Sequence, residues 1–508
     1  MVPQGSTPGN DPLPHSVALQ CGRAVAVAAA PIAQALSDLL RHDVSTWDSR
    51  GLRRTKERTV RSVFAGELGS VPVHVKVFRA DTFADRARDA MRGPRGEREL
   101  QNLLHARALG LPVVEPLASG IACDGDQQRS FVVTRTVPGG RPFSWPATVR
   151  AQQLVGALLA RVHARGLLPG DLHPGNLLLD ASEQPCLLDL TSLRRVGDPS
   201  LQIRARALAF FCHQLDGGVL DPAARHLLLA YRSDDMPSSF DEQLRLATHR
   251  WRAAALPAFG RRCTRSCAHT EVEVRQRSRP RWHWHLSPHL DATARARCAE
   301  LAAAPPTPRK TGRRGSVWLV AEMAVKERSS GAARKLWRAA YWLLFAKVAA
   351  ATPLALRLHR GRGLVFSRRL GPRSLEAELE AGLLDAAAIA GAARSLGTNV
   401  GRLHAHGLGN RDLKFDNLVR DRASGEVCMV DLDGVSRGSA ADMRGRGADL
   451  GRLLAAFRNA GAPGGSATVT TFLRSYLRAN RRLLQRPPLA RMLARAEHRA
   501  GEWATAHR

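Results

Sequence analysis

The spacing of apolar and polar positions changes several times along the chain, and each change marks an element. Val73-His74-Val75-Lys76-Val77-Phe78 alternates with period two, as a half-buried strand does, and Met323-Ala324-Val325-Lys326 is a second apolar run that also ends in lysine. Gly96-Glu97-Arg98-Glu99-Leu100-Gln101-Asn102-Leu103-Leu104 has helical character, and residues 201 to 232 and 446 to 482 carry apolar side chains at helical spacing. The longest apolar stretch, Tyr341 to Leu356, is interrupted by Lys347 and Pro353, so it predicts the end of a buried helix followed by a strand and no membrane span. Residues 1 to 20 are rich in Pro, Gly and Ser and contain no Lys or Arg, so the start lacks the positive region of a signal peptide.

One pattern occurs twice. His163-Ala164-Arg165-Gly166-Leu167 is followed by Asp171-Leu172-His173-Pro174-Gly175-Asn176, and His404-Ala405-His406-Gly407-Leu408 by Asp412-Leu413-Lys414-Phe415-Asp416-Asn417. Downstream, each has a short apolar strand that ends in aspartate, Cys186-Leu187-Leu188-Asp189 and Cys428-Met429-Val430-Asp431. The loop aspartates are 241 positions apart and the strand aspartates 242, which implies two copies of one domain.

These residues resemble the protein kinase superfamily, in which a loop Asp, an Asn five positions later and an Asp after the next strand line one cleft. Phosphoryl transfer uses such a set: a carboxylate accepts the acceptor's proton, while an amide oxygen and a second carboxylate hold Mg²⁺ against the triphosphate. The resemblance assigns Asp171 and Asp412 as bases, with Asn176, Asp189, Asn417 and Asp431 as metal ligands. It also requires a strand lysine upstream, and Lys76 and Lys326 stand 95 and 86 residues before their loop aspartates. Glu99, with Glu97 as second choice, is the acid expected to pair with Lys76. In the second copy there is no Asp or Glu from Arg328 to Leu375, which predicts an impaired site or another way of holding Lys326.

Neither copy has a Gly-x-Gly-x-x-Gly loop; Ala65-Gly66-Glu67-Leu68-Gly69 and Lys310-Thr311-Gly312-Arg313-Arg314-Gly315 stand in its place. Together with Gly170-Asp171-Leu172-His173-Pro174-Gly175-Asn176, Gly110-Leu111-Pro112-Val113-Val114-Glu115-Pro116 and Asp431-Leu432-Asp433, this resembles the bacterial lipopolysaccharide kinase (WaaP/InaA-type) family. The resemblance implies an α+β fold of two tandem bilobal kinase-like domains, each with a small antiparallel-sheet N-lobe and a helical C-lobe. The adenine edge would meet backbone near Arg135 to Gly139 and Arg368 to Gly371. It further implies ATP and Mg²⁺ as cofactors, a sugar or glycolipid acceptor, and a cytoplasmic location at the inner membrane face. The expected boundaries are a tail and helix at 1–44, kinase-like domains at 45–249 and 306–508, and a linker or an extension of the second domain at 250–305.

Composition modifies this picture in three ways. A chain of 508 residues with 44% hydrophobic and 24% charged positions is long enough for several globular domains. The net charge of +31 favours polyanionic partners, yet only seven of the 76 basic residues are lysines and the arginines are dispersed. Such dispersal predicts weak peripheral attachment to anionic membrane and no specific nucleic acid partner. The scarcity of lysine makes Lys76 and Lys326 the more informative. Eight mostly isolated cysteines suggest reduced thiols in a cytosolic protein. Cys263, Cys267, His269, His283, His285, His289 and Cys298 invite a zinc reading, but their spacing fits no closed ligand set. Two rival functions stay open: a protein Ser/Thr kinase, favoured by Arg411-Asp412-Leu413-Lys414, and a tandem pseudokinase that binds a partner without catalysis.

Overall fold

The computed structural model describes residue 13, residues 15–480 other than 59, 82, 216–217, 234–235, 268–269, 276–281, 289, 313–314, 439–442 and 460–464, and residues 494–496 and 498. The chain divides into two compact units, Met1–His249 and Arg250–Arg508.

In the first unit seven antiparallel strands form one sheet: β1 (Ser16–Cys21), β2 (Ala24–Ala29), β3 (Leu52–Arg58), β4 (Arg61–Leu68), β5 (Val71–Phe78), β6 (Pro116–Asp124) and β7 (Gln127–Arg135). Their order is β1-β2-β6-β7-β5-β4-β3. Period-two alternation in β5 buries Val73, Val75 and Val77 on one face. That face is covered by Ile32 and Leu36 of helix α1 (Ala30–Leu40) and by Trp47, whose ring meets Phe64 and Phe131 edge-on at 5.6 and 6.2 Å. The opposite face, with Lys76 and Phe78, receives Leu100 and Leu104 of α3 (Arg95–Ala108), which follows α2 (Phe83–Arg92). Leu100, Leu103 and Leu104 are one helical stripe, and burying it turns the adjacent Glu99 toward the sheet.

A helical portion follows, with short strands β8 (Arg141–Pro142), β9 (Leu167–Pro169), β10 (Leu177–Leu179), β11 (Pro185–Leu187) and β12 (Leu193–Arg195) set among α4 (Val149–Ala164), α5 (Leu201–Phe211) and α6 (Arg225–Tyr231). Thr148 caps α4 by accepting from the Ala151 amide at 3.1 Å.

The second unit repeats this plan after α7 (Ser239–Arg262). Strands β13 (Glu271–Arg275) and β14 (Trp282–Leu286), helix α8 (Ala292–Ala303), β15 (Lys310–Gly312), β16 (Gly315–Val320), β17 (Met323–Ser329), α9 (Ser330–Phe345), β18 (Pro353–His359) and β19 (Arg362–Arg368) come in turn. The sheet order is β13-β14-β18-β19-β17-β16-β15, the order of the first sheet position by position. The segment 271–286 thus supplies the first two strands of the second sheet, as 16–29 does for the first. The stretch Tyr341 to Leu356 is divided between α9, which ends at Phe345, and β18, with Lys347 at φ +52 in the turn between them. Helices α10 (Leu375–Glu380) and α11 (Ala386–Ala405), strands β20 (Leu408–Asn410), β21 (Leu418–Arg420), β22 (Val427–Met429) and β23 (Val435–Arg437), then α12 (Met443–Asn459) and α13 (Gly465–Ala479) complete the unit; residues 481–482 lie outside the described residues.

The histidine of the repeated motif has a structural task in both units. His163 on α4 lies with Nδ1 2.7 Å from the Tyr231 hydroxyl, and His404 on α11 with Nδ1 3.0 Å from that of Tyr476. Burial holds His163 down to about 4, so the ring is neutral at pH 7 and can share one hydrogen bond without a buried charge. The chain has three tyrosines, and two of them are used here. Among the described residues no helix is long and apolar enough to cross a membrane.

Helix α3 sits so close to β7 that a Cβ on Gly96 would lie 2.1 Å from the Phe131 carbonyl oxygen. Gly96→Ala should therefore push α3 off the sheet and cost about 2 kcal/mol or more. Scanning calorimetry should show the unfolding transition several degrees lower, and an unchanged transition would mean that α3 can slide without cost.

Candidate active site

In β5 the lysine is the polar residue between buried valines, so its side chain leaves the sheet on the face that α3 covers. Lys76 Nζ donates to Glu99 Oε1 at 2.6 Å, with the two side chains 12% and 1% exposed. A carboxylate buried this deeply requires a partner, and the pair supplies one for each charge. Asp189, at the end of the strand after the loop, lies 3.5 Å from the same ammonium and accepts from Arg61 Nη1 at 2.5 Å. The Thr191 hydroxyl is 2.7 Å from Glu99 Oε2 and 3.0 Å from Asp189 Oδ1, and it can donate to one of them at a time. Asn102 of α3 donates to the Leu190 carbonyl at 2.8 Å, fixing the loop against the helix that carries Glu99.

The backbone at Asp189 has φ +64, a region costly for most side chains and tolerated by aspartate. Its charge is governed by opposing forces. Burial disfavours the carboxylate, but Lys76 and Arg61, with hydrogen bonds from Arg61 and Thr191, outweigh it and hold the pKa at about 2. Asp171 stands nearer solvent, its side chain 60% exposed, with His173 Nε2 3.9 Å away. Asn176 Nδ2 donates to the Asp171 carbonyl at 2.7 Å, which ties the loop together and leaves the amide oxygen as its remaining ligand atom. An ionised Asp189 and that amide oxygen are both hard oxygen donors, the set that suits Mg²⁺.

The second unit brings its residues together differently. Lys326 Nζ is 3.1 Å from Asp431 Oδ1 and donates to the Val430 carbonyl at 3.3 Å. Helix α9, in the place of α3, has no acid in its sequence. Asn417 Nδ2 donates to the Asp412 carbonyl at 3.0 Å, as Asn176 does to Asp171. Asp433 accepts from Arg328 Nη2 at 2.9 Å. Unlike Asp189, Asp431 is not among the residues with positive φ. Burial opposes its ionisation, and Lys326, the Asp433 amide and Arg328 together lower its pKa despite that. Lys414 is drawn to Asp416, 3.5 Å away.

Arg61, Thr191 and Arg328 belong to these networks and were not expected from the sequence; Asp433 was seen only as part of a motif. Arg61 reaches the cleft because it stands on the same face as Lys76, two residues from Val63, the cross-strand partner of Lys76. The cysteines and histidines of 263–298 are dispersed over different elements. Cys263 donates to the Gly260 carbonyl, Cys298 faces the Met323 sulfur at 3.8 Å, and His285 belongs to β14. His269 and His289 lie outside the described residues. Among the described residues no group of three or more His, Cys, Asp or Glu side chains is placed to hold a metal ion.

Residues 43–196 match the model of the lipopolysaccharide kinase (Kdo/WaaP) family. The matched segment contains Lys76, Glu99, Asp171, Asn176 and Asp189, and the match makes the first unit a kinase with a protein kinase-like fold. Two solved structures are similar at 19% identity. WaaP in complex with acyl carrier protein has a TM-score of 0.28, over 38% of this chain and 81% of that one. The bifunctional kinase-methyltransferase WbdD has a TM-score of 0.25, over 37% of this chain and 47% of that one. No curated protein matches in sequence.

A carbon-13 titration of the aspartate carboxyls should place Asp189 at a midpoint near 2, below its ordinary 3.8. Because the folded value is the lower one, the stabilisation of about 2 kcal/mol is complete above pH 4 or so and is lost as pH falls toward 2. Lys76→Met should raise the midpoint, since burial then meets one cation fewer. An unmoved midpoint would remove Lys76 as the source of the shift.

Proposed function

We propose that the first unit transfers the terminal phosphoryl group of ATP to a sugar hydroxyl of a lipopolysaccharide-type glycolipid at the cytoplasmic membrane face. The observation that supports this best is the Lys76–Glu99 pair beside Asp189, within a segment that matches a lipopolysaccharide kinase family model. Glu99 orients Lys76, whose ammonium meets the α- and β-phosphates. Asp171, open to solvent, takes the proton of the acceptor hydroxyl as its oxygen bonds to the terminal phosphorus and the bond to the β-phosphate oxygen breaks, releasing ADP. Asn176 and Asp189 would hold Mg²⁺, which when bound neutralises part of the triphosphate charge. The Thr191 hydroxyl lies between the Asp189 and Glu99 carboxylates and can donate to whichever of them the lysine releases.

In the second unit we assign Lys326, Asp412, Asn417 and Asp431 to the corresponding positions, and we take this copy to be the impaired one. Lys326 spends its charge on Asp431 and not on a helix acid, so nothing keeps it aimed at a nucleotide once Asp431 is engaged. The net charge of +31 supports salt-sensitive attachment to an anionic membrane surface.

Transfer from radiolabelled ATP, with glycolipid, free sugar and protein offered as acceptors, tests the reading. Asp171→Asn and Asp189→Asn should each lower kcat by at least about 100-fold, a loss of about 2.7 kcal/mol, with folding intact by circular dichroism. Asp412→Ala should leave most of the activity. Label on protein alone would point to a protein kinase, and no transfer to any acceptor would point to a binding module.

Vesicle flotation tests the membrane assignment separately. Binding to anionic vesicles should be weak, present at low salt and lost at high salt. Salt-independent binding, or none, would move the acceptor into solution.

A further inference from the structure

We propose that the cleft of the second unit is a binding site for a multiply phosphorylated anion, taken up without a divalent cation. This rests on a comparison of the two clefts and not on the activity assigned to the first unit.

The sheet registers align the clefts residue by residue. Lys76 faces Val63 across the strands, and Lys326 faces Val317. Two positions further along, the first unit has Arg61 opposite Phe78, while the second has glycine at 315 and arginine at 328. Gly315 has φ +126, and a Cβ there would lie 2.0 Å from the Glu327 carbonyl oxygen, so no side chain can stand where Arg61 stands. The cation comes instead from the neighbouring strand: Arg328 reaches Asp433, which occupies the sequence place of Thr191.

This exchange changes what the cleft can accept. In the first unit Lys76 keeps Glu99 as counter-ion if Asp189 turns to a metal. In the second, the carboxylate beside Lys326 is Asp431 itself. A divalent ion on Asp431 would set a second cation against Lys326, whereas a phosphate beside Lys326 gives the ammonium a further partner.

The rim repeats the difference. The Arg135 amide donates to the Glu115 carbonyl and the Arg368 amide to the Thr352 carbonyl, both at 2.9 Å, so these positions correspond. Arg135 is paired with the Glu115 carboxylate at 2.5 Å, but the second unit has threonine in that place and follows Arg368 with Arg369 where the first has Thr136. Seven lysines and arginines line the second cleft against three aspartates, around a volume of about 810 Å³. Single exposed charges are weak and screened, but several converging on a concave wall raise the local potential for anions. The volume suits a nucleotide-sized ligand. Two sources supply such chemistry, a nucleoside triphosphate and a multiply phosphorylated sugar.

Equilibrium dialysis of the full chain in excess EDTA, with radiolabelled ATP or a radiolabelled sugar bisphosphate and with tripolyphosphate as competitor, tests the site. At least one labelled compound should bind saturably and be displaced by tripolyphosphate, and the tighter one names the source. Adding magnesium should weaken that part of the binding which substitution of the arginines of the second cleft removes. Arg309→Ala with Arg373→Ala, both exposed and both in the wall of this cleft, should lower the affinity at least tenfold while leaving phosphoryl transfer unchanged. Arg206→Ala with Arg225→Ala removes the same charge from exposed positions of the first unit and should change the affinity less than twofold. Absence of displaceable binding in EDTA, or equal losses in the two double variants, would overturn the proposal.

Discussion

The cleft of the first unit is organised around one part-buried carboxylate, Asp189, kept ionised between Arg61 and Lys76. A charge so enclosed is tolerable only if its partners are fixed, and each partner constrains a different part of the fold. Lys76 fixes the pleat of β5, because a shift of one residue would turn it into the core and a valine into the cleft. Glu99 then fixes the rotation of α3, and the absence of a side chain at Gly96 fixes its distance from the sheet. Thr191 joins the two acids, and Asn102 joins the loop to the helix.

The second unit shows how the same frame tolerates another distribution of charge. Its strand order is unchanged, and the buried His–Tyr contact and the Asn-to-carbonyl bond of the loop are both kept. What differs lies where the two portions of the unit meet: the helix acid is missing, Asp433 appears in the loop, and the arginine moves from one strand to the next. Packing and backbone hydrogen bonds therefore carry the fold, since these ion pairs can be rewired without altering the sheet. The proposed transfer is more sensitive, because it would need a particular cation free to meet phosphate when a metal engages the neighbouring acid.

Much of this was legible from the sequence alone, for a definite reason. Period-two alternation, a helical stripe and two repeats of Asp-x-x-x-x-Asn are local patterns, and the kinase resemblance they carry singles out Lys76, Glu99 (with Glu97 as second choice), Asp171, Asn176 and Asp189. The missing acid between Arg328 and Leu375 was equally plain, because an absence over a whole segment needs no geometry to be recognised. Tertiary structure alone decided which charges meet. Arg61 lies 128 positions from Asp189 and Arg328 lies 105 from Asp433. At those separations spacing carries no information about contact: the pairing of β4 with β5 brings Arg61 to the face of Lys76, and the packing of the loop after β22 against β17 brings Asp433 to Arg328. The hairpins at 16–29 and 271–286 were hidden for a related reason: their place in each sheet is set by long-range pairing with β6 and β18, which no local pattern encodes.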